Sequence, residues 1–143
     1  TRRSTGGHVF TLYGAAISWS SKLQSSISHS TAEAEIRALN ACALEAKWIR
    51  RMVSDVTGRQ DSVDKPTALH CDNRAAEMWT RNPHHHARQK HIDRCDLSIR
   101  EMVNEFKVIT IRLVPTLNQL ADCFTKSLPL PAFRRNVRNL LGE

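Results

Sequence analysis

An α/β domain is the expectation from three stretches of this chain. Glu35, Leu39, Cys42, Ala46, Ile49 and Val53 repeat at helical spacing after Thr31; Val108–Val114 alternates at strand period; and Thr67–Asn73 reads as a short strand with a helix opening directly behind it. In the last of these, Leu69 and Cys71 fall on one face and Ala68 and His70 on the other, with Pro66 where a strand begins without needing a donor. Asp72 then stands at the strand's carboxyl end, where α/β sheets build their sites, and Asn73 can cap a helix through Arg74–Trp79. Asp is also common at such turns simply for its side-chain hydrogen bonds, so both readings of Asp72 stay open on this ground.

Taken in order, Thr1–Gly7 reads as a polar loop. His8–Tyr13 and Ala15–Ser20 form an antiparallel hairpin turned at Gly14, with Ile17 and Trp19 on one face, and Ser20–Ser30 is a serine-rich connection. The long helix is capped by Ser30 or Thr31 and closed by Gly58. Glu35 continues its buried stripe at the first turn, where an unpaired carboxylate is costly to desolvate; either something neutralises it or it completes a capping arrangement with the helix dipole. Gln60–Lys65 links this helix to the Asp72 strand. Residues Asn82–His91 cluster imidazoles with Cys95 nearby, but the spacing His86-x4-His91-x3-Cys95 matches no standard zinc framework, and a basic loop leading into a helix from His91 to Asn104 is the competing reading. That helix directs Ile92, Leu97, Ile99 and Val103 inward. In the strand Val108–Val114, Ile109, Ile111 and Leu113 share a face and Pro115 ends it. A short helix from Thr116 or Asn118 carries Leu117, Leu120, Ala121 and Phe124 as its stripe with Asp122 to one side, and after Ser127–Pro131 a basic amphipathic helix, Ala132–Leu141, closes the chain. No internal repeat and no second domain are visible.

Composition narrows the function. The 143 residues, 41% hydrophobic and 24% charged, suit one domain with a real core. No apolar run approaches the roughly 20 residues of a membrane span and no signal segment opens the chain, so a cytoplasmic or nuclear setting follows by default. Neither a membrane nor a small-molecule cofactor is an expected partner. Cys42, Cys71, Cys95 and Cys123 lack paired spacing and read as buried reduced thiols. Lys and Arg exceed Asp and Glu by 21 to 14, a net +7, in short groups at Arg2-Arg3, Arg50-Arg51, Arg88 with Lys90, and Arg134-Arg135 with Arg138. Grouped cations on a folded domain suit the phosphates of a nucleic acid.

Several blocks in one order then carry a resemblance over almost the whole chain. They are Arg3-Ser4-Thr5-Gly6-Gly7-His8-Val9-Phe10, Ile17-Ser18-Trp19-Ser20-Ser21-Lys22, Glu33-Ala34-Glu35 with Ala38-Leu39, and Cys71-Asp72-Asn73. They continue with Asn82-Pro83, His86-x-Arg88-x-Lys90-His91-Ile92-Asp93, Ile99-Arg100-Glu101, Val114-Pro115-Thr116, Gln119-Leu120-Ala121-Asp122 and Thr125-Lys126. Together they resemble the ribonuclease H domain at the end of the copia-type LTR retrotransposon Pol polyprotein, with departures at Ser30-Thr31-Ala32 and at Ile36, where an aromatic is usual. The histidines then read as a family loop rather than a zinc site.

The resemblance implies a single RNase H-like domain over residues 1–143, a mixed sheet flanked by helices with a basic helical tail at 127–143. It implies divalent-metal-dependent hydrolysis of the RNA strand in RNA–DNA hybrids, with the reverse transcriptase portion of the same polyprotein as a further partner, in cytoplasm, nucleus or retroelement particles. Glu35, Asp72 and Asp122 match catalytic, metal-holding carboxylates, and Asn73, Arg74, Arg88, Lys90, His91 and Lys126 match the nucleic-acid side. Mg²⁺, two ions in the family with Mn²⁺ as a substitute, is the implied cofactor; hard carboxylates suit it, and paired ions about 3.5–4 Å apart stabilise the attacking and leaving oxygens. Family members carry a further Asp on a first, central strand before the Arg-Ser-Thr-Gly block, and this sequence starts after that point. The expectation is therefore a sheet lacking that strand and weak or absent catalysis, with a non-catalytic nucleic-acid-binding remnant as the alternative and a purely structural domain as a third reading.

Overall fold

The computed structural model describes residues 4–24, 31–59, 64–81 and 97–143. They form two compact units: Thr1–Ala34 with Pro115–Glu143, here the hairpin unit, and Glu35–Val114, here the parallel unit. The expected histidine-rich loop and the start of the helix behind it, including Ile92 and Cys95, lie outside the described residues.

In the hairpin unit, β1 (Thr5–Leu12) pairs antiparallel with β2 (Ala15–Leu23). The turn is two residues long, and both Tyr13 and Gly14 have positive φ, at 52° and 87°, the backbone hand that matches the twist of a two-residue hairpin. Both strands run further than the sequence suggests. Thr5, Gly6 and Gly7, expected in a loop, pair with Leu23, Lys22 and Ser21, which were expected in the serine-rich connection. Once the turn fixes register, backbone bonding carries small polar residues of low strand preference into the ladder. The register shifts between Phe10 and Thr11, where Ile17 is the extra residue on β2.

The expected single helix after Pro115 is instead two pieces, a 3₁₀ turn (Thr116–Asn118) and α3 (Asp122–Thr125), separated where Gln119 turns extended. Leu117 is consequently 70% exposed instead of lining a stripe. The last helix, α4 (Leu130–Leu141), starts two residues earlier than expected, because Pro131 fits a helix's first turn, where no N–H is required. α3 packs on both hairpin strands and α4 on β2.

The parallel unit takes up α1 (Thr31–Thr57) from Glu35 onward, then β3 (Thr67–Cys71) and α2 (Arg74–Arg81). β3 pairs in parallel with β4 (Ile109–Leu113), from Thr67↔Ile109 to Cys71↔Leu113, and α2 lies in the crossover such a pair requires. α1 ends as expected at Gly58, whose φ is +64°. Ile36, Leu39, Ala43, Ala46 and Ile49 are its buried residues, so Glu35 and Cys42 border the stripe, half-buried. The core of the unit also takes Leu69, Cys71, Ile99, Met102, Ile109 and Ile111.

Two apolar residues expected inside are outside: Leu97 is 59% exposed and Leu113 45%. A π-helical turn, Glu101–Glu105, closed by the Phe106 N–H on the Glu101 carbonyl, widens the helix before β4 and turns Met102 inward. Leu113 is the last residue of its strand, beyond the covered part of the face. Among the described residues the sheets are two, each of two strands, and no helix is long and apolar enough to cross a membrane.

Candidate active site

The carboxyl end of β3 is built by local bonds that the sequence dictates. The Asn73 N–H donates to Cys71 Sγ at 3.3 Å, and Asn73 Oδ1 accepts the Ala75 N–H at 2.9 Å, capping α2 as the strand-turn-helix reading requires. Asp72 sits half-buried between these two anchored residues, immediately after Cys71. Arg74 is exposed at the first position of α2.

α1 is tied to the opposite end of the same strand. Arg50 donates to the Lys65 carbonyl at 2.7 Å and to Thr67 Oγ1 at 2.9 Å. Counting back eight residues along the helix covers ~12 Å and reaches Cys42, while counting forward four residues along β3 covers ~13 Å and reaches Cys71. With the two elements running in opposite directions, this count puts the thiols at matching heights. Their electrostatics agree: burial, then Cys71 and Glu45, push the Cys42 thiol up to about 12. The Cys71 thiol is also raised, chiefly by burial, against an opposing backbone bond from Asn73, and further by the carboxylates of Glu35, Asp72 and Glu77. Glu35 from the first turns of α1 and Asp72 from the end of β3 thus act on one buried sulfur. Sequence reasoning missed the two thiols and Glu77 as parts of this neighbourhood; the signal was Cys71 beside Asp72 and Cys42 two helical turns from Glu35.

Asp122 belongs to the hairpin unit. It is buried at the start of α3, its carboxylate 12% exposed, and its Oδ2 takes Lys126 Nζ at 2.7 Å one turn on, the lysine being 49% exposed. A residue expected to hold metal and one expected to meet nucleic acid are therefore partners of each other. Glycine is required close by: a Cβ at Gly7 would stand 2.7 Å from Thr125 Cγ2 and 3.0 Å from the Ser20 carbonyl. Ser21 Oγ donates to the Phe124 carbonyl at 2.5 Å, so α3 is clamped onto the hairpin at Gly7 and Ser21.

Arg88, Lys90 and His91 lie outside the described residues. Among the described residues no group of three or more His, Cys, Asp or Glu stands ready to hold a metal ion. Glu35 and Asp72 carry the hard oxygen donors that Mg²⁺ prefers.

Comparison with known proteins sets this neighbourhood in context. Over 132 residues, 92% of the chain, it is 36% identical to the retrovirus-related Pol polyprotein from transposon TNT 1-94 of Nicotiana tabacum, covering 10% of that protein. The chain resembles one stretch of a transposon Pol polyprotein. Two Arabidopsis thaliana relatives agree: the Pol polyproteins from transposons RE1, 35% identical over 139 residues, and RE2, 35% identical over 137, cover 97% and 96% of the chain and 9% of each relative. The chain thus spans about a tenth of the length of these relatives. No family model and no solved structure matches it.

Proposed function

We propose that this chain is the ribonuclease H part of a transposon Pol polyprotein, hydrolysing the RNA strand of RNA–DNA hybrids with Mg²⁺, or Mn²⁺ in its place, beside the polyprotein's reverse transcriptase. The observation that carries the reading is the turn at the end of β3, where Asp72 stands half-buried between Cys71 and the Asn73 that caps α2; the Glu35 and Asp72 carboxylates both act to raise the Cys71 thiol. The similarity to Pol polyproteins and the element order, hairpin, long helix and parallel strand pair, support it.

When bound, divalent ions stabilise the attacking and leaving oxygens of the phosphodiester. In this chain Glu35 and Asp72 supply the negative charge that would hold them, fixed by α1 and by the capped turn at Asn73. Burial raises both the Cys42 and the Cys71 thiol, which favours their neutral form. Asp122 has its assignment from the resemblance alone. The cations, including Arg74 and Lys126, meet phosphates.

The test is Mg²⁺-dependent cleavage of a hybrid with labelled RNA, in the 143-residue chain and, where its reading frame continues upstream, in the extended chain. Glu35→Gln and Asp72→Asn are expected to lower the rate on the order of 10²–10³-fold, the several kcal/mol that metal-ion stabilisation contributes, while leaving hybrid binding intact. An unchanged rate in Asp72→Asn removes the assignment. The pairing of Asp122 with Lys126 favours a second reading, a nucleic-acid-binding remnant without catalysis. Salt-sensitive hybrid binding with no metal-dependent cleavage in either form would establish that reading.

A further inference from the structure

From Lys126 to Asn139 the chain carries four cations, Lys126, Arg134, Arg135 and Arg138, and no carboxylate. Their surroundings differ. Lys126 is paired with Asp122, and Arg135 donates to the Leu117 carbonyl and, at 3.4 Å, to Asn136 Oδ1, so each already has a partner within the hairpin unit. Arg134 and Arg138 are exposed, and among the described residues their guanidinium groups have no hydrogen-bond or ion-pair partner.

Asn136, 3% exposed, marks the side of α4 that is covered. At about 100° per residue, Arg134 and Arg138 each lie about 160° from Asn136 around the helix, on opposite sides, so they stand about 40° apart on the outward face. Four residues of helix separate them by ~6 Å along the axis. Like charges one turn apart on an exposed helix weaken it slightly. Arg138 gains from the helix's negative end, but Arg134, mid-helix, has no such return from the fold. A guanidinium pair facing outward on an acid-free helix is complementary to a chain of phosphates, whose oxygens match the planar donor fork.

We infer that the outward face of α4, through Arg134 and Arg138, is a phosphate-backbone contact for the bound nucleic acid. The inference rests on the hybrid-binding part of the proposed function. Contact with phosphates carries no sequence information, so the face adds affinity and salt dependence rather than specificity.

The experiment is equilibrium binding of the 143-residue chain to an RNA–DNA hybrid across a salt series, comparing wild type with Arg134→Gln/Arg138→Gln. Removing two phosphate contacts should lower the slope of log affinity against log salt by about 2 and weaken binding roughly tenfold to a hundredfold near 0.1 M salt. Arg134→Lys/Arg138→Lys, which keeps the charge, should keep the slope, and circular dichroism should show the same helix content in all three. Wild-type binding with an unchanged slope in the glutamine variant overturns the assignment of α4 alone, whereas no wild-type binding overturns the hybrid reading with it. Sedimentation with phosphatidylserine vesicles separates the other polyanion. Vesicle binding lost in the glutamine variant, with hybrid binding untouched, would give this face to a membrane surface and overturn the inference.

Discussion

The two units hold their carboxylates by different means. In the parallel unit, Glu35 and Asp72 are set by a core: aliphatic residues from α1, β3, β4 and the π-helical turn are buried together, and the carboxylates border that core beside two raised thiols. In the hairpin unit, Phe10 is the large buried hydrophobic residue among those described, and Asp122 is set by polar ties, the Lys126 ion pair and the Ser21 bond, over a close approach at Gly7. A site positioned by apolar packing depends on core volume and on its buried thiols staying neutral. One positioned by an ion pair and a tight backbone approach depends on salt and on the space left at that approach.

The sharpest way to break this contrast is to empty the parallel core. Ile109→Ala removes a side chain on a residue 1% exposed and should cost about 2–5 kcal/mol in urea unfolding, with Asp72-dependent activity lost in parallel. A cost below about 1 kcal/mol would mean that the core does not set this unit.

Alkaline pH probes the same unit through its thiols. Below pH ~9 the folded and unfolded chains both keep the Cys42 proton; above it the unfolded thiol ionises while the folded one, raised to about 12, does not. Stability should therefore fall as pH rises from about 9 towards 12, by up to about 1.4 kcal/mol per pH unit for each such thiol, and Cys42→Ala should flatten that fall. An identical pH profile in Cys42→Ala would show that the thiol is not held neutral by the fold.

In the hairpin unit the equivalent stress is steric. Gly7→Ala puts a methyl 2.7 Å from Thr125 Cγ2 and 3.0 Å from a backbone carbonyl, and should cost about 1–3 kcal/mol by thermal or urea unfolding. A neutral result would mean that α3 can lift from the strand without loss.

The smallest expected effect is that of the ion pair. A double-mutant cycle on Asp122 and Lys126 should give a coupling of about 0.5–1 kcal/mol, since the lysine is half exposed, and high salt should reduce it. Coupling that is large and insensitive to salt would make the hairpin unit resemble its counterpart.

Much of this molecule was decided within a few residues along the chain. The stripe of α1, the alternation of Leu69 and Cys71, the Asn73 cap and the tight turn at Gly14 are local, because periodicity and backbone preference act over one or two turns of chain. The resemblance pointed to Glu35, Asp72 and Asp122, and the first two contribute to raising the Cys71 thiol. Sequence could not tell which apolar residues would be covered. Leu97, Leu113 and Leu117 are exposed and Met102 is buried, because a π-helical turn, a strand's last residue and a broken helix each change what a periodic pattern faces. Nor could it extend the hairpin through Thr5–Gly7 and Ser21–Leu23, where pairing across the strands outweighs weak local preference. The thiol pair beneath the carboxylates depends on the height at which Arg50 fastens α1 to β3. Such a register is set by bonds between segments distant in sequence, so the amino-acid order alone leaves it open and the packed chain decides it.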